Sequence, residues 1–285
     1  MPLRQTALAL LLNPDPHAKA AATLATDADA LPVDTQALLA EPPGLPGRPA
    51  RPVLVAPRLL APRPAGTREG RAALLHALTH IEFNAINLAL DACWRFPGMP
   101  EAYYRDWFLV AREEAGHFCL LRDHLAALDT RYGDLPAHDG LWEMAWRTRQ
   151  DVLARMALVP RTLEARGLDA SPAVRQRLAS AGDAAGAALI DRLLQDEIGH
   201  VAIGNRWFHH LCARQGVDPV TTYAGLCITY QAPVLPGPFN LPARQAAGFT
   251  ASELSYLLPK RQASPTREVN RNKTDGPSES RPARR

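Results

Sequence analysis

The chain has little of what several common kinds of protein require. It holds four cysteines in 285 residues, Cys93, Cys119, Cys212 and Cys227, and no two are spaced C-x-x-C. That spread excludes a paired redox motif and a cysteine zinc ribbon, and a disulfide scaffold needs far more. Three of the four fall in apolar helical patterns, where cysteine behaves as a small buried hydrophobe, so a reducing compartment is expected. Long apolar runs are also missing: Ala7 to Leu12 is cut off after six residues by Asn13-Pro14-Asp15-Pro16. Six residues are short for a signal peptide and far short of a membrane span, which points to a cytoplasmic protein with no membrane partner. Strand-like alternation is almost absent, so the chain is expected to be all-α. No glycine-rich dinucleotide fingerprint occurs, which leaves no flavin or nicotinamide site of its own.

Excess charge is scarce as well. Lys260 to Arg285 carry eight cationic and three acidic residues, a net +5 in a chain of net +3, so the other 259 residues sum to −2. The basic character belongs to a tail, and the body makes no case for nucleic-acid binding.

Proline, by contrast, is plentiful and unevenly placed. Residues 1–66 hold twelve of the 26 prolines, and none occurs between Pro64 and Pro97. Short helices are expected near residues 3–12 and, capped by Asp15, near 16–26. From Leu31 to Pro64 the prolines exclude helix and central strand alike, leaving an extended arm laid on the main domain by Val53, Leu54, Val55, Leu59 and Leu60. After Thr67 the pattern turns helical. Long helices are expected at about 68–95, 101–129, 139–166 (with Pro160 inside it) and 183–214. Ser171-Pro172 should open a short helix to about residue 180. A helix at about 219–230, an ordered loop through Phe249 and a last helix at 252–258 complete the pattern. The expected organisation is a Pro-rich arm (1–66), a helix bundle with its C-terminal loop and helix (67–258) and a disordered basic tail (259–285).

Acids occupy the apolar faces of those helices. Glu82 has Leu75, Leu78, Ala85, Ile86 and Ala89 as helical neighbours, and Glu114 has Trp107, Val110, Ala111, Phe118 and Leu121. Glu197 lies among Ile190, Leu193, Leu194 and Val201, and Glu164 beside Ala157, Pro160 and Leu168. Residues i and i+3 share a helix face, so His117 points with Glu114 and His200 with Glu197. Four buried carboxylates without compensation are costly, and two divalent cations would balance them. Carboxylate with imidazole suits iron or manganese, and no thiolate favours zinc. With twelve Glu and nine His in the chain, chance supplies about 0.4 E-x-x-H matches. Two matches, each with a further Glu one helix earlier, are a stronger signal. The separations 82 to 114 and 164 to 197, 32 and 33 residues, suggest a repeated helical hairpin. Glu113 and Asp196 each precede a motif Glu, and each is placed to receive the ring N–H of the histidine on the other hairpin.

The set Glu82, Glu114-x-x-His117, Glu164 and Glu197-x-x-His200 resembles the ligand pattern of the ferritin-like di-iron carboxylate superfamily. The phrasing THIEFNAINLALDA, AREEAGHF, VPRTLEARGLD, DEIGHVAIGNRWF and PFNLPAR is similar to an uncharacterised bacterial branch of it. More distantly, the pattern resembles tRNA-modifying non-haem di-iron hydroxylases. The resemblance implies a ferritin-like four-helix bundle holding two metal ions, Fe/Fe first, with Mn/Fe or Mn/Mn also suited to the ligands. It implies oxygen or peroxide chemistry on a small molecule or a modified nucleotide, with electrons from a separate donor. Its alternative is an iron-oxidising, iron-handling protein without an organic substrate.

Other residues carry plainer expectations. His124, two turns beyond His117, reads as a packed core histidine rather than a partner of the site, and His80 points away from Glu82. Trp107 and Tyr104 read as packing rather than electron relay. Asn240 and Arg244 either anchor the late loop or close over the site to hold an anion. His209 and His210 are expected at the surface. Pro160 should bend the third long helix at the site.

Overall fold

The computed structural model describes residues 1–60 and 64–258. Among these the chain is helical, with no strand and one isolated bridge between Leu54 and Ala137. Helices α1 (Leu3–Leu12) and α2 (Pro16–Ala25) precede the arm. Then come α3 (Arg68–Arg95), α4 (Glu101–Ala126), α5 (Gly140–Arg147), α6 (Val152–Leu158), α7 (Ala165–Ser180), α8 (Ala184–Gln215), α9 (Pro219–Thr229), α10 (Leu241–Ala246) and α11 (Ala251–Leu257). The expected disordered tail lies outside the described residues.

The long helices form where sequence caps them. Thr67 accepts from the Gly70 amide to start α3, and Asp183 accepts from the Gly186 amide to start α8. Gly216, at φ +67°, ends α8 in the left-handed conformation that glycine adopts freely. α3 packs along α4, α7 along α8, and α4 crosses to α8. Ile86, Ala89, Val110, Ala111 and Phe208 on these helices join Met156 of α6 in one core.

The third long helix departs from expectation. It is broken between α5 and α6, and Val159–Glu164 is π-helical before α7 resumes. The proline at position 160 brings no N–H, and the chain absorbs this by taking one more residue per turn; Thr162 Oγ1 donates to the Ala157 carbonyl five residues back at 2.8 Å. α8 makes room for the wider turn at Gly204, where a Cβ would stand 2.6 Å from Pro160 Cβ. α7 also runs through Gly167 and Pro172, where a stop and a new start were expected. Pro172 cannot donate to the Leu168 carbonyl, and Asn240 Nδ2 takes that acceptor at 3.1 Å. Two shorter departures follow: α4 ends at Ala126 rather than near Asp129, and the late loop contains α10.

Two buried cations hold the N-terminal helices and the arm. Arg4, 1% exposed, donates to the Trp94 carbonyl at the end of α3 and to the Asp34 and Ala37 carbonyls of the arm. Lys19, fully buried, places its ammonium on Leu11 O and Gly47 O, both at 3.0 Å, and on Asn87 Oδ1 at 2.5 Å. Those three acceptors satisfy its three N–H groups, which offsets the burial that pulls its pKa down to about 7. The arm passes so close to the end of α1 that a Cβ at Gly47 would lie 2.1 Å from Leu12 O. Of the expected apolar anchors, Val55 and Leu60 are half-buried, but Val53, Leu54 and Leu59 are 56%, 39% and 65% exposed. Polar ties supplement them. Val55 N donates to Ala137 O, Ala137 N to Val53 O, and Arg48 pairs with Asp139 at 2.6 Å.

α3 is buried on two sides, since α1 covers the flank that α4 does not. His76 on this helix is 1% exposed, and its Nε2 accepts from the Gly133 amide at 3.0 Å. Burial lowers its pKa to about 4, against an ordinary 6.5. Folded His76 therefore stays neutral while the unfolded chain takes up a proton. Its contribution is complete above pH 6.5 and is lost as the pH falls toward 4, a loss of about 3 kcal/mol. Urea unfolding at pH 7 and pH 4.5 should show this decline, and His76→Gln, which keeps an acceptor for Gly133, should flatten it; an unchanged slope in the variant would exclude His76 as the cause.

Candidate metal centre

Three of the six expected ligands come from α3 and α4. Glu82 projects from the middle of α3, and Glu114 and His117 lie one turn apart on α4. Glu197 and His200 repeat that pair on α8, and Glu164 closes the π-helical segment. The ligand atoms gather into two groups, Glu82 with Glu114 and His117, and Glu114 with Glu197 and His200; within each they lie within 4.8 Å of one another. Either group could hold a metal ion.

Glu114 belongs to both. Its Oε2 lies 3.4 Å from His117 Nδ1, and its Oε1 lies 2.9 Å from His200 Nδ1. Glu82 Oε2 stands 3.3 Å from His117 Nδ1, and Glu197 Oε2 stands 3.3 Å from His200 Nδ1. Both histidines thus turn Nδ1 inward, and their rings tilt at 37° with centroids 5.7 Å apart. The outward nitrogens are held across the helix pair: His117 Nε2 meets Asp196 Oδ2 at 3.0 Å, and His200 Nε2 meets Glu113 Oε2 at 2.8 Å. Asp196 and Glu113 are each 39% exposed on their side chains while the histidines are nearly sealed. Each carboxylate therefore orients a buried ring from its solvated side.

The electrostatics are those of acids crowded away from water. Burial and the nearby Glu114 push Glu82 up to about 8. Burial, Glu197 and Glu114 lift Glu164 well above the carboxylate range, and burial with Glu114 raises Glu197. Burial would also raise Glu114, but His200 and His117 hold it below the usual range. Burial would lower His117, yet its bonds to Glu114 and Glu82 take it to about 11, and His200 is raised against burial by Glu114 and Glu113. The cluster thus balances its carboxylates with protons. A bound divalent cation would displace them, because imidazole and carboxylate ligate in their deprotonated forms.

Glu164 stands outside both groups, with Oε2 buried and without a hydrogen-bond partner among the described residues. An orphaned carboxylate oxygen has a desolvation cost that a cation would remove. With this acid, the donor set is carboxylate and imidazole without thiolate, and it suits a divalent cation.

The remaining residues are placed elsewhere. His124 Nε2 meets the carboxylate of Asp183, the N-cap of α8, at 2.9 and 3.0 Å, so it is neither packed apolar core nor partner of the site. His80 bonds Tyr132 and the His138 carbonyl. Tyr104 donates to Phe96 O at 2.7 Å, and Trp107 is buried against Tyr103. Asn240 and Arg244 anchor the late loop on α7; Arg244 is paired with Asp169 at 2.7 Å and is committed as a cation. His209 is half-buried on Glu253 at 2.8 Å, and His210 is half-buried against Trp207, so the surface expectation fails for both. Glu253 also receives Arg161 of the π segment at 2.7 Å, which seats α11 on the segment that ends in Glu164. The four cysteines are free.

Sequence inspection passed over one pattern. His76, His80, Asn84, Asn87 and Asp91 are all buried, at helical spacing along α3. Polar residues repeated every three or four positions in a core helix were the available signal.

An all-helical chain with two Glu/His groups able to hold metal is the class that fold and site define. Residues 12–255 match the family described as protein of unknown function (DUF455), and the chain belongs to that family. It is similar to an uncharacterized protein of Haemophilus influenzae, 49% identical over 216 residues that cover 73% of this chain and 75% of that one. No solved structure matches the chain.

Proposed function

We propose that the protein is a ferritin-like four-helix bundle that holds two metal ions, iron before manganese, and oxidises an organic substrate with dioxygen or peroxide. The observation that carries this is the position of Glu114, one carboxylate oxygen toward each inward-facing histidine nitrogen. Glu82 and His117 would complete one half and Glu197 and His200 the other, with Glu164 adding its free oxygen. A di-iron pair in such a site supplies two redox-active ions that activate oxygen. The chain's own part is orientation and exclusion. Asp196 and Glu113 fix the histidine rings, and Val110, Ala111, Ile86 and Phe208 keep the surrounding core dry.

The sequence carries no glycine-rich dinucleotide motif, and on this reading turnover draws electrons from a separate donor. Iron handling without an organic substrate is the competing function. The two separate in one experiment: anaerobic Fe(II) loading of the full chain, metal analysis, then exposure to oxygen. About two metals per chain, taken up with proton release, and a single round of oxidation that stops until a reductant is added are the expected results. Continued consumption of Fe(II) without reductant would favour iron handling, and a folded chain that takes up no metal would end both.

A further inference from the structure

A second place in the molecule is built to bind something. Between the arm and α3 lies a cavity of about 330 Å³, lined by Arg48, Phe83, Asn84, Asn87 and Tyr132 among others. A second, of about 250 Å³, meets it at His80 and Asn84 and is walled by apolar residues such as Ala77, Ile81 and Leu141. At 100° per residue along α3, His80 and Asn84 lie opposite Glu82, and Asn87 lies well round from it. The cleft is therefore separate from the metal centre.

Its polar groups are few and their orientations are fixed. Lys19 holds Asn87 Oδ1 at 2.5 Å, so the amide of Asn87 must present Nδ2, a donor, on its other side. Asn84 donates Nδ2 to the His80 carbonyl at 3.2 Å, which leaves Oδ1, an acceptor. Both residues are buried, 1% and 3% exposed, and both line the larger cavity. Neither leftover atom has a protein partner among the described residues, and neither is sealed from the cavity as the fully occluded orphan atoms are.

The charged and ionisable donors around them are already engaged. Arg48 is paired with Asp139, the three N–H groups of Lys19 are taken, and both ring nitrogens of His80 are engaged. A donor and an acceptor one helical turn apart match a group with adjacent C=O and N–H. The tilted rings of Phe83 and Tyr132, 5.7 Å apart, offer flat apolar surface beside it. We propose that the cleft binds a neutral small molecule whose head is a carboxamide or ring lactam, read by Asn87 and Asn84, and whose body is apolar.

Benzamide is the probe for this, with benzoate and benzylamine as charged molecules of the same shape. Saturation-transfer NMR on the full chain should give a saturable benzamide signal and at least about tenfold weaker binding of the other two. Asn87→Asp keeps an oxygen for Lys19 but removes the donor. It should weaken benzamide binding about tenfold or more while leaving the metal stoichiometry unchanged. Asn84→Leu removes the acceptor independently, should Asn87→Asp disturb the fold. Equal binding of benzoate, full affinity in both variants, or no saturable benzamide signal would each overturn the proposal without touching the metal centre.

Discussion

Glu114→Ala should empty both halves of the metal centre together. Metal analysis after Fe(II) loading is expected to fall from about two ions per chain to near zero. Glu114 alone faces both histidines, at 3.4 and 2.9 Å, whereas Glu82 and Glu197 each serve one. Without it each half retains one carboxylate and one imidazole from the two groups, too few to compete with water for a divalent ion. The fold should survive, because His117 keeps Asp196 and His200 keeps Glu113. Circular dichroism and the thermal midpoint of the metal-free variant should therefore match those of the metal-free parent. Retention of one full equivalent of metal would show that the halves bind independently, and the shared role of Glu114 would be wrong.

The largest stability loss is expected at Asp91, far from any ligand. It is fully buried and accepts from Arg155, from Arg95 at 2.7 Å and from Trp94 Nε1 at 3.2 Å. Arg155, 1% exposed, also reaches Thr148 Oγ1 and the Ala145 carbonyl, so this pair spans the break between α5 and α6 and ties both to α3. Burial would raise Asp91, but Arg155 and Arg95 hold it below the usual carboxylate range. Asp91→Ala leaves Arg155 as an uncompensated buried charge, which costs about 3–5 kcal/mol. On a fold stable by about 5–15 kcal/mol, that is a large share. Urea unfolding measures it. A loss under about 1 kcal/mol would mean that Arg155 finds another partner or reaches water.

These two sites also show what can be read before folding and what cannot. Helices α3 and α8 were legible nearly to the residue because each begins at a side-chain cap and carries an apolar stripe, with α3 buried on a second flank as well. Glu82, Glu114 and Glu197 were legible as candidates because an acid in the centre of such a stripe is conspicuous. The third long helix was not, because its punctuation is answered from elsewhere. Pro160 is accommodated by Gly204 on α8, and Pro172 by the Asn240 side chain some seventy residues on. Local rules weigh a proline by what it lacks and cannot see the group that makes up the deficit. The arm misled for a related reason: Val53, Leu54 and Leu59 stay exposed while Arg4 and Lys19, ordinarily surface types, are buried on carbonyls. Asp91 and Arg155 were invisible as a pair because 64 residues separate them.

The wide turn at Val159–Glu164 works as a phase shifter between two α-helical frames. Its wider pitch absorbs one surplus residue and sets everything after it back by about 100° relative to an uninterrupted helix of the same length. Glu164 faces inward only because that offset precedes it. A one-residue deletion between Arg161 and Leu163 would let the turn relax to ordinary pitch and leave the carboxylate aimed into the core, because the residue removed is the surplus one. The same deletion made after Glu164, within α7, would turn the rest of that helix by about 100° against α8. The wide turn tolerates a change of length that the regular helix after it does not.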